Sequence, residues 1–551
     1  MNAIELDELD MNISNGNHLN ILDLPNEILF IIFKKLNMVD VLYSLMYVTQ
    51  RFDQLVFDPF YIRNLNMTSM TMKSFYDRTY SIVNQVLDGI CKNILPRIYD
   101  QVNELVIEQY SMERVLHTVN SPQLYSLTLM DFPEEVLLNY LASNTILRKL
   151  LIEQITCLKI DVQDKPTEPP PETLGVMFAL ILSLCKRLIK LSFCQLFHRS
   201  TLCTFELSST NFKSSNLTAL KINVKTFDDC LYLLDGRFNC LSTLIIGVQI
   251  ISYTSGTIDN TKKLPKLKHF SLTSYRHLFV CDNLIIPLLQ RMINLEELIL
   301  YLSIIRSNKN YIDGSELYDD ILIYMPRLNK FTFNIHTNVD KNNVEIAFSS
   351  NEDIQRSFSR KEYGSVASHI ENFTRKNKRR CHSYSLPYEF KSRCHIYSLP
   401  YQFKSLHLLN NSFQSGIFDS VLSLIMTDCC PFEHNFFNVI SQSFPLLKQL
   451  GIINDEPQKD KQQSTPLIIF PHLIYLDLHG ARANYAEQFL VDMHCHLPCF
   501  LDLKIGYESL VLVTNNFTND ATRLTCSKLT SLCIKGVFVP PKTFHEYFPL
   551  L

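Results

Sequence analysis

Apolar positions along this chain follow two different rhythms. From Leu24 to Leu36 the residues Ile28, Leu29, Ile32, Phe33 and Leu36 recur at helical spacing and form one wide stripe. Pro25 suits the first position of a helix, where its missing N–H costs nothing, so a helix is predicted to begin there and to end at Asn37. Asp40 is a candidate cap for a second helix carrying Val41, Leu42, Leu45 and Met46. A third short helix through Phe52, Leu55 and Val56 is predicted to stop before Asp58-Pro59. Helices this short and this apolar need a partner to cover them.

Beyond about residue 95 the rhythm changes to a recurring phrase: apolar, two others, apolar, one other, apolar. It runs through Leu124–Leu129, Leu147–Ile152, Leu188–Phe193, Leu217–Ile222, Leu241–Ile246, Leu267–Leu272, Leu295–Leu300 and Leu328–Phe333. After a gap it resumes at Leu447–Ile452, Leu473–Leu478, Phe500–Ile505 and Leu529–Ile534, with Phe403–Leu408 as an additional strand phrase. In so apolar a chain the phrase alone proves little; spacing and context carry the argument. Successive starts from Leu217 to Leu295 and from Leu447 to Leu529 fall within or close to a period of about 20 to 29 residues. A proline stands two positions upstream at Pro122, Pro265, Pro326, Pro445, Pro471 and Pro498, where it ends a helix and favours an extended approach to a strand. Each unit therefore reads as helix, turn, short strand, with Leu288–Ile293 and Phe436–Ser443 as examples of the helix.

Polar segments interrupt the array. Loop insertions are predicted at 163–173, which is proline-rich, at 339–402 and at 454–466. The longest holds the run Arg375–Arg380, read as a solvated loop charge or an import signal. It also holds a near-duplication, Cys381–Arg393 and Cys394–Leu406, too short to be a structural repeat. The Cys-His pairs in it and at His494-Cys495-His496 lack the spacing of a structural zinc site and read as buried thiols and capping histidines.

Composition narrows the function. At 551 residues the chain is too long for one ordinary core. A net charge of −3, with both signs interspersed, argues against nucleic-acid binding by bulk electrostatics. Residues 1–20 are acidic, read as disordered, and carry no secretory signal; no apolar run is long enough to span a membrane. The 16 cysteines show no disulfide framework and read as reduced thiols, mostly buried, in a cytoplasmic or nuclear protein. No phosphate-loop, zincin or nucleophile-elbow motif is present among only 13 glycines, so no catalytic residue, metal or cofactor is expected.

The stretch from Ile21 to Tyr61 resembles the F-box, the module by which substrate receptors of SCF-type ubiquitin ligases dock on a Skp-family adaptor. The resemblance rests on Leu24-Pro25-Asn26-Glu27-Ile28-Leu29, then Ile32-Phe33-Lys34-Lys35-Leu36, then Val48-Thr49-Gln50-Arg51-Phe52. It implies an adaptor-binding set of Leu24, Pro25, Ile28, Leu29, Ile32, Phe33, Leu36, Leu42, Val48 and Phe52. Many F-boxes carry tryptophan at the last position; this chain has Phe52 and no tryptophan at all. The later phrases resemble irregular leucine-rich repeats, although the asparagine or cysteine expected after the last strand leucine is replaced, for example by Phe132, Gln249 and Ser303. A general α/β fold of βα units, or an N-terminal helical hairpin packed on its own domain, would produce the same local patterns.

These readings combine into one expectation. The fold is α/β, a three-helix F-box at 21–66 and a helical linker at 67–95, followed over 96–551 by a curved leucine-rich-repeat-like solenoid with strands on the concave face and helices on the convex face. The resemblance implies a non-catalytic receptor that holds the Skp-family adaptor and, through it, a cullin-RING complex, with an unidentified target protein on the repeats. Outward positions within the phrases nominate His269, Ser271, Glu297, Tyr301, Lys330, Thr332, Tyr475, Asp477, His479, Asp502 and Lys504 for target binding. The alternative is a repeat scaffold in which the opening helices only cap the array, with no ubiquitin role. The terminal Phe548-Pro549-Leu550-Leu551 opens another phrase whose strand does not follow, so either that strand is missing or the end is frayed and exposed.

Overall fold

Short polar side chains set the helix starts of the opening segment. Pro25 lies just outside the helix Asn26–Lys35, which Leu36 closes. The Asn37 carboxamide oxygen accepts from the Val39 N–H at 2.8 Å, so Asn37, not Asp40, caps the next turn, Met38–Asp40, which runs on into a π-helical turn at Val41–Leu45. Thr49 accepts from the Phe52 N–H at 3.1 Å to start Gln50–Val56, which ends before Asp58-Pro59 as expected. Asp58 in turn caps Pro59–Ile62.

The computed structural model describes residues 21–72, 78–119, 121–162, 171–193, 214–251, 262–278, 281–307, 309–340, 348–372, 390–459, 466–536 and 538–551. The acidic start, the basic run 375–380, the Cys381-His382 pair and most of the insertion at 163–173 lie outside these. Contacts divide the chain into a first unit, Met1–Ser69 with Ile82–Leu124, and a second, Met70–Ser81 with Tyr125–Leu551. In chain order the strands begin with β1 (Asn64–Met67), β2 (Met70–Met72), β3 (Arg78–Tyr80) and β4 (Glu104–Glu108).

In the first unit β1 and β4 pair in parallel, Leu65 beside Leu105 and Met67 beside Ile107, with the helices Asn84–Asn93, Leu95–Ile98 and Met112–Thr118 completing it. Both strands carry the repeat phrase, Ile62-x-x-Leu65-x-Met67 and Val102-x-x-Leu105-x-Ile107, so the phrase already begins inside the segment assigned to the F-box. The expected helical linker at 67–95 is half right: β2 and β3 form an antiparallel hairpin of the second unit, and Asn84–Asn93 is helical.

The second unit continues with β5 (Ser126–Phe132), β6 (Cys157–Val162), β7 (Lys190–Phe193), β8 (Ala219–Thr226), β9 (Thr243–Ile250), β10 (His269–Leu278), β11 (Glu297–Arg306) and β12 (Lys330–Asp340). They pair in parallel and in sequence order. Register aligns the phrase leucines into continuous buried rows, one of them Leu127, Leu158, Leu191, Leu220, Leu244, Phe270, Leu298 and Phe331. A backbone device repeats with them: two successive N–H groups at each strand start share one carbonyl of the preceding strand. Thr156 and Cys157 donate to Tyr125, and the pattern advances in the same way to Asn329 and Lys330 on Glu296.

After β13 (Ser365–Asn372) and β14 (Phe390–Leu399), a six-stranded sheet follows. Its members are β15 (Ser405–Leu409), β16 (Ser423–Thr427), β17 (Gln449–Asn454), β19 (Tyr475–Ala481), β21 (Asp502–Gly506) and β22 (Ser531–Lys535). The small pair β18 (Ile468–Ile469) and β20 (Cys495–His496) stands apart from it. The shared-carbonyl device recurs here, from Leu422 and Ser423 on Lys404 to Thr530 and Ser531 on Leu501.

The upstream prolines do something more specific than ending helices. In Leu264-Pro265-Lys266-Leu267, Met325-Pro326-Arg327-Leu328 and Phe444-Pro445-Leu446-Leu447 the phrase leucine N–H bonds back to the residue before proline, so proline holds the second position of a β-turn that its fixed φ favours.

Several expectations are corrected. Leu147–Ile152 is not a strand but lies in the helix Ile146–Glu153, capped by Thr145; its leucines at 147, 150 and 151 satisfy helical spacing equally well, and the strand is β6. The helix expected at Leu288–Ile293 is Cys281–Leu289. β16 was not foreseen. The insertion at 339–402 contains the helix Asn351–Ser357 and the antiparallel strands β13 and β14, with β14 extending the sheet from β12. Its polarity misleads because its polar groups are interior: Ser392, His395 and Ser398 of β14 are buried, as are Asn334, His336 and Asn338 on the neighbouring β12. Near the end of the chain Tyr547 and Phe548 are buried against Phe517 and Phe544, while Leu550 and Leu551 are exposed. Of the free cysteines described, Cys185, Cys230, Cys394, Cys495 and Cys526 are buried and others such as Cys430, Cys499 and Cys533 are exposed, so "mostly buried" overstates it.

Candidate functional site

The ten residues nominated for adaptor binding separate into an inner and an outer set. Leu29, Phe33, Leu42 and Phe52 are core: Phe33 meets Phe52 edge-on with ring centres 5.6 Å apart and meets Tyr61 at 6.3 Å. Phe52 thus fills an interior aromatic slot. Tyr61 is buried with them, its hydroxyl donating to the Phe33 carbonyl at 3.4 Å, and burial pushes its pKa up to about 12. Pro25, Ile28, Leu36 and Val48 are exposed, and Leu24 and Ile32 are half-buried.

The outer set is larger than the sequence reading allowed. Ile31, Tyr43 and Tyr47 are at least half exposed. Ile31 lies three residues from Ile28 and was findable, because the helix Asn26–Lys35 is apolar around its whole circumference and cannot bury every side in one core. Tyr47 carries a separate signal. Its φ of 66° puts a non-glycine residue in the left-handed region, held by the Asp53 carboxylate accepting from its N–H at 2.7 Å. Its hydroxyl accepts from Arg97 at 3.2 Å. A strained turn therefore holds an aromatic ring out in solvent.

The target-binding nominees of the second unit fall into in-register rows. His269, Glu297 and Lys330 are neighbours across β10, β11 and β12, and Asp477 pairs with Lys504 across β19 and β21. Charge is matched within the rows: Lys330 lies 2.6 Å from Glu297, and Lys504 2.9 Å from Asp477. His269, Ser271, Glu297, Asp477, His479 and Lys504 are half-buried and Lys330 is exposed.

Four nominees are corrected, because they are buried. Tyr301 is covered by the segment leading into β15, with the Phe403 ring 5.3 Å and the His407 ring 6.1 Å away. Thr332 sits on β12, whose other edge is taken by β14. Tyr475 and Asp502 are enclosed between in-register neighbours, Gln449 on one side and Ser531 on the other. The second Cys-His pair is also interior: Cys394 is buried, and His395 Nε2 lies 3.0 Å from the Asn334 carboxamide oxygen.

Sequence reasoning missed one surface entirely. On the same strand face, β6, β7 and β8 place Lys190 in one outward row and Lys159 and Lys221 in the next, on either side of Ser192. Between them is a groove of about 220 Å³ with small residues Ser126, Cys157, Ser192 and Ala219 in its lining. Each lysine occupies an outward position of a repeat phrase, which is the signal that would have found it.

No protein-family model matches the chain, and no curated protein matches it.

Proposed function

We propose that this chain is the substrate-recognition subunit of an SCF-type ubiquitin ligase. Its first unit holds a Skp-family adaptor through the outer helical residues, and the strand faces of a leucine-rich-repeat-like solenoid hold a target protein. The observation that carries the reading is the helix Asn26–Lys35. It buries Leu29 and Phe33 while leaving Ile28, Ile31 and the adjoining Leu36 exposed to water, an apolar face of the kind that marks an interaction surface. Catalysis is then by proximity, the receptor raising the effective concentration of target lysines beside a charged ubiquitin carrier.

Co-precipitation of the full chain tests this, with blots for the adaptor and the cullin. An Ile28→Asp/Leu36→Asp variant is the right comparison because both side chains are exposed, whereas Leu29→Ala would damage the core. Capture by the wild type and loss in the variant supports the proposal. No capture by the wild type refutes it and leaves the helices as a cap on the repeats.

A further inference from the structure

Among the described residues one set of metal-ligating side chains converges, and it lies at the carboxyl ends of the neighbouring parallel strands β15, β16 and β17. β16 ends at Thr427, and the next three residues are Asp428, Cys429 and Cys430. Their two sulfurs and a carboxylate oxygen all lie within 4.8 Å of one another. The turn that carries them is held from both sides. The Asp428 carboxylate accepts from the Asn411 N–H at 2.8 Å, just beyond β15, and from the Cys430 N–H at 2.9 Å. The Cys430 carbonyl accepts from the carboxamide of Asn411 at 3.2 Å and from that of Asn454, the last residue of β17, at 2.7 Å. Asp428 and Cys429 are half-buried and Cys430 is exposed, so an ion reaches the set from solvent. On β13, Glu371 is paired with Arg393 at 3.6 Å, and His369 Nε2 lies 2.6 Å from Ser412 Oγ. Both have partners of their own, and the donor set stays at three.

We propose that Asp428, Cys429 and Cys430 bind one divalent cation of the zinc type through a carboxylate oxygen and two thiolates, with water in the fourth position. Donors on one zinc at about 2.0–2.3 Å stand roughly 3.5–4 Å apart, so small side-chain rotations complete the set. Two sulfurs argue against calcium and magnesium, which take oxygen ligands, and an iron–sulfur cluster takes four thiolates where this turn supplies two. Copper(I) also suits sulfur, but two thiolates and a carboxylate carry three negative charges, which a divalent ion offsets better than a monovalent one. The hydrogen bonds to Asp428 orient it in the way that ligating carboxylates are held. With three protein ligands the site is open, unlike a closed structural one. Structural zinc motifs are recognised by separated ligand pairs, so three consecutive donors draw no notice until the fold brings them together. The proposal does not depend on the ligase role.

Cobalt(II) titration of the tag-free full chain, kept reduced, tests it, because a cobalt–thiolate bond gives a charge-transfer band and a tetrahedral site gives intense visible bands. The wild type should develop both with one equivalent of cobalt and lose both to one equivalent of zinc. Cys429→Ser/Cys430→Ser should abolish them, whereas Cys499→Ser, at another exposed cysteine, should leave them unchanged. Cys430→Ser alone alters an exposed side chain and should weaken cobalt binding by about tenfold or more while the chain stays folded. Zinc should also raise the thermal midpoint of the wild type and not that of the double variant. Absence of the thiolate band in the wild type, or equal bands in the double variant, overturns the proposal. So does cobalt held only at millimolar concentration, which means an adventitious ion only.

Discussion

The Arg51 guanidinium reaches back along the chain to donate to the Leu24 carbonyl at 2.6 Å. It also donates to the Asn26 carboxamide oxygen at 2.7 Å and to the Leu22 carbonyl. One side chain of the third helix thereby fixes the chain just before the first, which aims the outer residues Leu24, Pro25 and Ile28. Arg51→Ala is expected to lower the stability of the first unit by about 1.5–3 kcal/mol, the range for hydrogen bonds to a charged group. Urea unfolding checks it, and Arg51→Lys should restore only part of the loss because an ammonium lacks the planar fork.

Inner and outer residues of the same helical segment should respond in opposite ways. Phe52→Ala removes a ring packed on Phe33 and should cost about 3–5 kcal/mol, whereas Ile28→Asp should change stability by no more than about 0.5 kcal/mol. Thermal unfolding of the two variants decides whether the boundary between core and surface is drawn correctly.

Gly314 tests whether the segment after β12 is structural. A Cβ there would come within 2.4 Å of the Ser357 carbonyl oxygen, and the Gly314 N–H donates to Ser357 Oγ at 2.8 Å. Gly314→Ala must displace the helix Asn351–Ser357, with a loss of about 1–3 kcal/mol. Protease cleavage within 348–372 should accelerate in the variant; an unchanged digest would mean the helix does not pack there.

Buried histidines give the second unit a pH dependence. Burial, reinforced by His369 and Arg393, holds His395 at a pKa of about 3, and burial holds His407 at about 4. Both lie below the unfolded value near 6.5, so the unfolded chain binds more protons as pH falls below that point and the folded state loses ground. At pH 5 each should cost about 2 kcal/mol relative to pH 7.5, from roughly 1.4 kcal/mol per pH unit. Denaturant midpoints measured from pH 7.5 to 5 should fall for the wild type and fall less for His395→Asn.

Much of the fold was legible because its physics is periodic. The phrase located nearly every parallel strand of the second unit, since a strand with one buried face must alternate. It failed at Leu147–Ile152, where an amphipathic helix satisfies the same spacing, and at β14, where Ser392, His395 and Ser398 are polar yet interior. Tyr301 shows the limit for sites: its outward position was readable, but the distant Phe403 that covers it was not. The lysine groove was missed for the opposite reason, since three unremarkable lysines become a site only when register aligns β6, β7 and β8.

Direct titration of a purified Skp-family adaptor into the purified full chain, followed calorimetrically, tests the central claim most directly. The account predicts saturable one-to-one binding that Ile28→Asp/Leu36→Asp weakens by at least about tenfold while the variant stays folded, the loss of about 1.4 kcal/mol or more expected from removing exposed apolar anchors. No heat of binding with the wild type, or equal affinity for the variant, would contradict it.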